Sequence, residues 1–522
     1  MTIISTDAVR STYRFDIPLT AIIISFAAAA VHIIYSLYFS AYHHIPGPWM
    51  CKITSLYTKY LDVRLKRTHK IHEWHKKYGP VVLISPGEVS FSGPSATRDI
   101  YGATGRHPKS RYFDNFLSYG GERATFNTLD YHEHRERRRL SFAFFQATTI
   151  YTPAFIDPVR SRARAFVQQV DQDIHMTPTV DMFHRVNLFA FDNVTKLLFG
   201  SRHSTATVEA PPSCPQRSML EGLKDCEMWN TLLFNAPWAH RLARAVLSRL
   251  RGDRRFLAAE EDLTEWCTAR ISTTLRDAEL NKDDGNEDCL LNRLRLCRTK
   301  LGERVATPWI YAEVLDNVSA AQATVTVALT YVLWNLARNR GWQDRARQEL
   351  AQLPCQEDGF PSFADINSAP VLEACVNESY RLNPLSSGRA ERVVPVGKEY
   401  DGVFVPAGTV VSTSTVAIQH TPSAFSLPEA YNPGRWLDAS PERLRIMQAH
   451  YMPFGYGARV CLGKPFATLE IKLLVAFLVL RYSISEKPGG RTDAATMEQL
   501  GTQDALPRGL CCDVLVQPLH RD

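Results

Sequence analysis

The chain has 522 residues, 60 Lys+Arg against 54 Asp+Glu for a net charge of +6, and 45% apolar residues. That balance is ordinary for a globular protein and too mild to argue for nucleic acid as a partner. Its 11 cysteines include no Cys-x-x-Cys pair, which excludes a zinc knuckle or a disulfide scaffold and fits reduced thiols facing the cytosol.

Residues 17–42 contain no Asp, Glu, Lys or Arg. At about 1.5 Å per residue such a run crosses a hydrocarbon core of about 30 Å. Arg10 and Arg14 before it are offset by Asp7 and Asp16. Lys52, Lys59, Arg64, Lys66, Arg67 and Lys70 follow it against Asp62 alone. The positive-inside bias then leaves the rest of the chain in the cytosol. Ala28-Ala29-Ala30 is similar to a signal-cleavage site, but the apolar run continues past it, so a retained single-pass anchor is expected over residues 1–45.

Pro46-Gly47-Pro48 predicts a stiff elbow after the anchor. Pro80-Val81-Val82-Leu83-Ile84 and Glu88-Val89-Ser90-Phe91, parted by Pro86-Gly87, predict a β-hairpin. Helical patterns dominate from Tyr131 to about Leu350, with loops expected at 201–216 and 283–287. His132-Glu133-His134-Arg135-Glu136-Arg137-Arg138-Arg139 is a charge run, most of it a solvated helix face. Thr307-Pro308 predicts an N-cap and first-turn proline. The helix they open runs to about Arg338, roughly 48 Å long. Small residues at its centre, Ala320-Ala321-Gln322-Ala323-Thr324-Val325, let a flat ligand approach the backbone. The Thr324 hydroxyl can bond a carbonyl one turn back. Glu378 and Arg381 lie three apart on one face of a later helix. Strands are expected over 393–416, with turns at Asp401-Gly402 and Pro406-Ala407-Gly408. The fold class expected is mainly α with a smaller β-rich part, forming one unit over residues 46–522.

The most informative stretch is Phe454-Gly455-Tyr456-Gly457-Ala458-Arg459-Val460-Cys461-Leu462-Gly463. It sets one cysteine in a glycine-punctuated loop just before an apolar helical run. An iron porphyrin held by a thiolate needs this arrangement. The helix N-terminus offers free N–H donors and partial positive charge to the sulfur. Glycines admit the close approach of a macrocycle, and Arg459 can pair with a propionate.

This stretch resembles the cysteine loop of the cytochrome P450 superfamily at Phe454, Gly457, Arg459, Cys461 and Gly463. The resemblance implies the cytochrome P450 fold behind an N-terminal transmembrane helix. It implies haem b as cofactor, with Cys461 as the metal ligand. Glu378 and Arg381, with Arg435 from Asn432-Pro433-Gly434-Arg435-Trp436, match the family's buried Glu–Arg–Arg cluster, a structural element. His134 and Arg138 match the aromatic-x-x-x-basic pattern that holds a haem propionate, with histidine replacing the usual tryptophan. Arg392 is a further propionate candidate, and Arg389 competes with it. The other basic residues of the charge run are candidates for a reductase-facing surface.

Ala320, Ala321 and Thr324 match the family's oxygen-binding kink, where the threonine aids proton delivery. The acid that normally precedes it is Ala323 here. Three accounts stand: waters replace the acid, Gln322 or a substrate hydroxyl orients them, or the enzyme avoids the usual O–O cleavage. Substrate-facing positions by resemblance are 106–127, the central helix and Pro384-Leu385-Ser386-Ser387-Gly388. The two serines there point to a partly polar substrate or merely cap a turn.

Gly79-Pro80-Val81-Val82-Leu83-Ile84-Ser85-Pro86, Glu313-Val314-Leu315-Asp316-Asn317 and Arg392-Val393-Val394-Pro395 resemble fungal microsomal members that tailor secondary metabolites. The expected activity is a monooxygenase of the endoplasmic reticulum acting on a lipophilic intermediate of terpenoid or polyketide type. NADPH-cytochrome P450 reductase is the expected partner, because no flavin or Gly-x-Gly-x-x-Gly motif is present. The rival is a haem-thiolate isomerase, dehydratase or peroxide-using enzyme, which Ala323 keeps open. A non-catalytic haem protein is the third reading.

Overall fold

A computed structural model describes residues 19–117, 119–251, 255–280, 288–386 and 389–519. Its first element, the helix Leu19–Tyr38, is apolar and almost wholly uncovered, with Ile24, Phe26 and Val31 exposed. By length and composition it is a candidate membrane span. The one imidazole of this helix, His32, bonds the carbonyl of Ile53 at 3.1 Å. The elbow that follows is stitched to the body. Leu83 N–H donates to the Pro46 carbonyl at 2.7 Å. A Cβ on Gly47 would stand 2.5 Å from the Leu83 carbonyl oxygen, so only glycine fits there.

The hairpin forms where expected, as Val81–Ser85 against Glu88–Phe91, antiparallel with Val82 opposite Ser90. Glu88–Phe91 then pairs in parallel with Val410–Thr413, which pairs antiparallel with Arg392–Val393. A second sheet joins Thr179–Asp181, Asp513–Pro518 and Tyr482–Glu486. Both sheets tie segments far apart in sequence, and both sit beside a much larger helical body.

The centre of that body is the helix Thr307–Arg338, whose flanks bury Val314, Val327, Leu329 and Leu333. It packs most extensively on the helix Met182–Phe199, with Pro370–Leu382 and Lys464–Arg481 also against it. It too is long and apolar enough to cross a membrane, but it is mostly buried in the protein.

Three expectations need correction. Ala306, not Thr307, holds the N-cap position, and Thr307 and Pro308 are already helical. The predicted strand to Val416 stops at Thr413, because the Ser414 side chain accepts the Ala417 amide and starts the helix Thr415–Gln419. The loop expected at 201–216 ends at Pro215, which opens a helix. The loop expected at 283–287 lies outside the described residues.

Glu378, Arg381 and Arg435 meet in one buried cluster. Arg381 forks onto both Glu378 oxygens at 2.9 Å each, and Arg435 Nε donates to Oε1 at 3.0 Å. Two donors invisible in the sequence complete the shell: Trp436 Nε1 at 3.0 Å and the Asn432 amide at 2.9 Å. Arg381 spends its other hydrogens on the carbonyls of Gln419, Pro428 and Ala430. Removing the carboxylate strands two guanidinium groups without their anion, so Glu378→Ala is expected to destabilise the fold by about 3–5 kcal/mol. Urea unfolding checks this; a loss under about 1 kcal/mol would mark the cluster as dispensable.

Candidate functional site

The cysteine loop is built by local hydrogen bonds. Cys461 N–H donates to the Phe454 carbonyl at 2.9 Å and Val460 N–H to Gly457 at 3.1 Å. Gly457–Arg459 makes one tight turn between them. Gly457 has φ +70°, and a Cβ on it would stand 2.0 Å from the Tyr101 carbonyl. Its glycine is therefore demanded by backbone conformation and by the end of the helix Pro94–Tyr101, a protein contact rather than the ligand approach expected. Phe454 packs edge-to-face on Tyr380, with centroids 5.7 Å apart.

Cys461 lies two residues before Gly463, the N-cap of the helix Lys464–Arg481. Burial pushes its thiol above the usual range, while the Gly463 and Lys464 amides and the charges of Arg138 and Lys464 pull it back toward the thiolate. Cys461 is surrounded by protein yet remains accessible. Ser319 and Ala320, at the middle of the otherwise buried central helix, are likewise uncovered.

Asp130 caps the charged helix Tyr131–Phe142 by accepting the His132 and Glu133 amides at 2.8 Å each. Its buried face presents His134 and its half-buried face Arg138. Burial, reinforced by Arg459, Lys109, Arg138 and Arg392, holds His134 neutral. Arg137 is tied to Glu122, Glu133 and the Arg123 carbonyl, which removes it from any positive outer face; Arg135 and Arg139 remain exposed.

Arg459 donates to the carbonyls of Thr128, Leu129 and Asp130 at 2.7–3.1 Å, but its buried Nε finds no acceptor. Burial and then Arg392 lower its pKa to about 9. Arg392 is buried, donates only to the backbone of Ala390 and Glu391, and is lowered to about 10, mainly by burial. Arg389, its competitor, is already held by Asp62 and Glu391 at 2.6 and 2.9 Å. Among the described residues no carboxylate is bonded to Arg392, whose guanidinium lies 5.0 Å from the Tyr101 ring centroid.

Sequence reasoning missed a further member, Lys109. It is buried, donates to the Phe126 carbonyl and lies 3.7 and 4.1 Å from the ring centroids of Phe113 and Phe126. Burial, then Arg392 and Arg459, depress its pKa strongly. Nothing in its local sequence marks it. Arg138, Arg392, Arg459 and Lys109 thus form a cationic cluster whose members destabilise one another. Such a cluster calls for an anion, and a group carrying two carboxylates fits it. These side chains would hold the carboxylates of such a group, and Cys461 would offer its thiolate to the metal it carries.

On the central helix, Thr324 Oγ1 donates to the Ala320 carbonyl at 2.8 Å, as expected. Ala320 is uncovered, whereas Ala321 is half-buried against the core. Gln322 is buried and donates to Asn187 Oδ1 on the neighbouring helix, where the Thr326 hydroxyl also binds. It is turned away from Thr324, which removes it as the group that replaces the missing acid. Ser386 is half-buried, while Ser387 and Gly388 lie outside the described residues.

The family model described as Cytochrome P450 matches residues 46–508. Cytochrome P450 monooxygenase FGM1 of Gibberella zeae is 41% identical over 489 residues, covering 93% of this chain and 94% of the relative. Cytochrome P450 monooxygenase AKT7 of Alternaria alternata is 27% identical over 487 residues, covering 90% and 89%. Among solved structures, retinoic acid bound cyanobacterial CYP120A1 has a similar fold, with a TM-score of 0.66 at 18% identity over 86% of this chain and 93% of that one.

Gly457→Ala forces either the Tyr101 carbonyl or the cysteine loop to move and is expected to lower haem content several-fold, measured as pyridine haemochrome per protein. Gly455→Ala is the control. It shares a positive φ of +75° but has no atom in the way, so it is expected to cost only about 1–2 kcal/mol and retain haem. Full haem content in Gly457→Ala would show that the loop yields.

Proposed function

The chain belongs to the cytochrome P450 family, and from that premise we propose that it is a membrane-anchored monooxygenase of fungal secondary metabolism. Membership makes it an enzyme with a thiolate-ligated haem iron, and implies a reductase partner and a lipophilic substrate. The finer reading is ours. The substrate is a terpenoid or polyketide-type intermediate, and electrons come from NADPH through a separate cytochrome P450 reductase. The helix Leu19–Tyr38 anchors the chain in the endoplasmic reticulum with residues 46–522 in the cytosol. The observation that carries it is Cys461 at a helix start beside the buried cations Arg138, Arg392 and Arg459.

Bound haem supplies the iron at which dioxygen is reduced, one atom passing to substrate and the other to water. The chain's own residues prepare the place. The Gly463 and Lys464 amides and the Arg138 charge favour the thiolate form of Cys461 against burial, which pushes its pKa up. Arg138, Arg392 and Arg459 hold the carboxylates of the group, and His134 serves as a neutral donor. Ala320 and Ala321 leave room above it. Thr324 holds a proton on Oγ1 but points it at the Ala320 carbonyl, so its lone pairs face incoming donors. With Ala323 apolar and Gln322 turned to Asn187, protons reach Thr324 through water or a substrate hydroxyl. The same pair of observations favours a second reading, a haem-thiolate isomerase, dehydratase or peroxide-using enzyme that needs no such relay.

The test is a reduced, carbon-monoxide difference spectrum on carbonate-washed microsomes, followed by turnover with and without NADPH and reductase. The red-shifted Soret band of thiolate ligation is expected in the membrane pellet. Product formed without NADPH would favour the second reading. Cys461→Ala is expected to lose that band, and its retention would remove Cys461 as ligand. Thr324→Ala is expected to divert NADPH electrons to peroxide, and unchanged coupling would reduce Thr324 to packing. Ala323→Asp is expected to raise the oxygenation rate by up to about 10²-fold if the relay limits it; an unchanged rate would assign proton delivery to water or substrate.

A further inference from the structure

A cavity of about 270 Å³ lies between the helix Pro370–Leu382, the cysteine loop and the helix Lys464–Arg481. Neither Cys461 nor a member of the cationic cluster lines it, so it is separate from the site described above. A space of about 150 Å³ accepts a benzene ring. This one has room for two fused rings. The apolar part of its wall comes from Val376, Ile471 and the rings of Phe454 and Tyr451.

Most polar groups of the wall are spent on one another. Lys472 is buried, pairs with Glu373 and donates to the Asn367 carbonyl and side chain at 2.9 Å each. Asn377 donates to Glu373 at 3.0 Å and accepts the Tyr451 hydroxyl at 2.9 Å. Tyr380 and Lys464 differ. Tyr380 is only 3% exposed. Its hydroxyl bonds to no described residue and is not sealed in packing, so it opens onto the cavity that Tyr380 lines. Burial, then the carboxyls of Glu373 and Glu470, raise its pKa, which keeps the proton in place for donation. Lys464 is exposed at the rim and meets no carboxylate among the described residues. Its ammonium lies 5.7 Å from the Phe454 ring centroid, and Tyr380 packs on the same ring at 5.7 Å. Lys464 and Lys472 against Glu373 leave the wall with one net positive charge. An interior hydroxyl without a partner costs free energy that folds seldom leave unrecovered. Two donors converging on aromatic and aliphatic walls are the pattern of a small-molecule site.

We propose that this cavity is a second ligand site, which takes a small aromatic carboxylate and braces the cysteine loop from behind. The carboxylate accepts the Tyr380 hydroxyl and pairs with Lys464, and the ring system lies against Phe454. The Phe454 carbonyl holds the Cys461 N–H at 2.9 Å, so an occupant ties the loop to the helix Pro370–Leu382. The site stands on the protein's own groups; only the consequence for haem retention rests on the haem reading above.

The experiment is equilibrium dialysis of 2-naphthoate against the holoenzyme, with the iron saturated by imidazole. One molecule per chain is expected to bind, about tenfold tighter than the neutral 2-naphthamide. Lys464→Gln is expected to erase that preference. Tyr380→Phe, which keeps the ring and its packing, is expected to weaken naphthoate about tenfold. Transfer of haem to apomyoglobin is expected to slow several-fold when naphthoate saturates the wild type, and to stay unchanged in Tyr380→Phe at the same concentration. Equal binding of the two compounds, or naphthoate binding that survives both substitutions, overturns the site. Binding with an unchanged rate of haem transfer overturns the brace. A protein without a haem Soret band overturns the haem reading alone, because dialysis reads the cavity directly.

Discussion

Burial alone would keep Cys461 protonated, because an apolar surround penalises the anion more than the thiol. Everything near the loop works against that penalty. The Gly463 and Lys464 amides are among the unpaired donors that any helix start carries. They face the sulfur because the turn Gly457–Arg459 and the bond from Cys461 N–H to Phe454 fix the loop just upstream. Gly457 makes that turn possible, and Tyr101 makes glycine obligatory there. The placement of one sulfur thus depends on a helix start, a loop and the end of a distant helix.

The cationic cluster is the second half of the same electrostatic problem. Arg459, Arg392, Arg138 and Lys109 come from four separate segments, and burial lowers each of them. Backbone carbonyls take some of the hydrogens of Arg459, Arg392 and Lys109, which helps hold these side chains in place without neutralising them. Of the acids nearby, Glu391 is committed to Arg389 and Ser110. An anion bound among these side chains would offset their mutual repulsion and stabilise the fold by linkage. The Glu378 cluster differs in being closed, since every oxygen of its carboxylate is already donated to from within the protein.

Along the central helix the chemistry is sparse. Alanines, a threonine bonded to its own backbone and a glutamine turned into the helix packing leave few groups able to move a proton. On the proposed reading, proton supply then falls to water or to the substrate. The aromatic residues of 112–126 supply apolar area, and area alone does not choose an orientation.

The sequence by itself determined the elements and reactive groups whose signals are local. The cysteine loop was legible because glycine, arginine and cysteine spacing within a short stretch reflects one turn and one helix start. The hairpin at Val81–Phe91 and the length of the central helix followed from periodicity and proline placement in the same way. Only the tertiary structure decided which basic residues share a site. Arg389 and Arg392 are three apart and look alike, yet Asp62, more than three hundred residues upstream, takes one and leaves the other. Gln322 was equally ambiguous until Asn187 on another helix claimed it. Lys109, Trp436 and the strand Thr179–Asp181 gave no local sign, since their partners lie far along the chain. Local sterics and helix-end chemistry are written within a few residues. Pairing of buried charges depends on which groups folding brings within a few ångströms, and that is settled by packing alone.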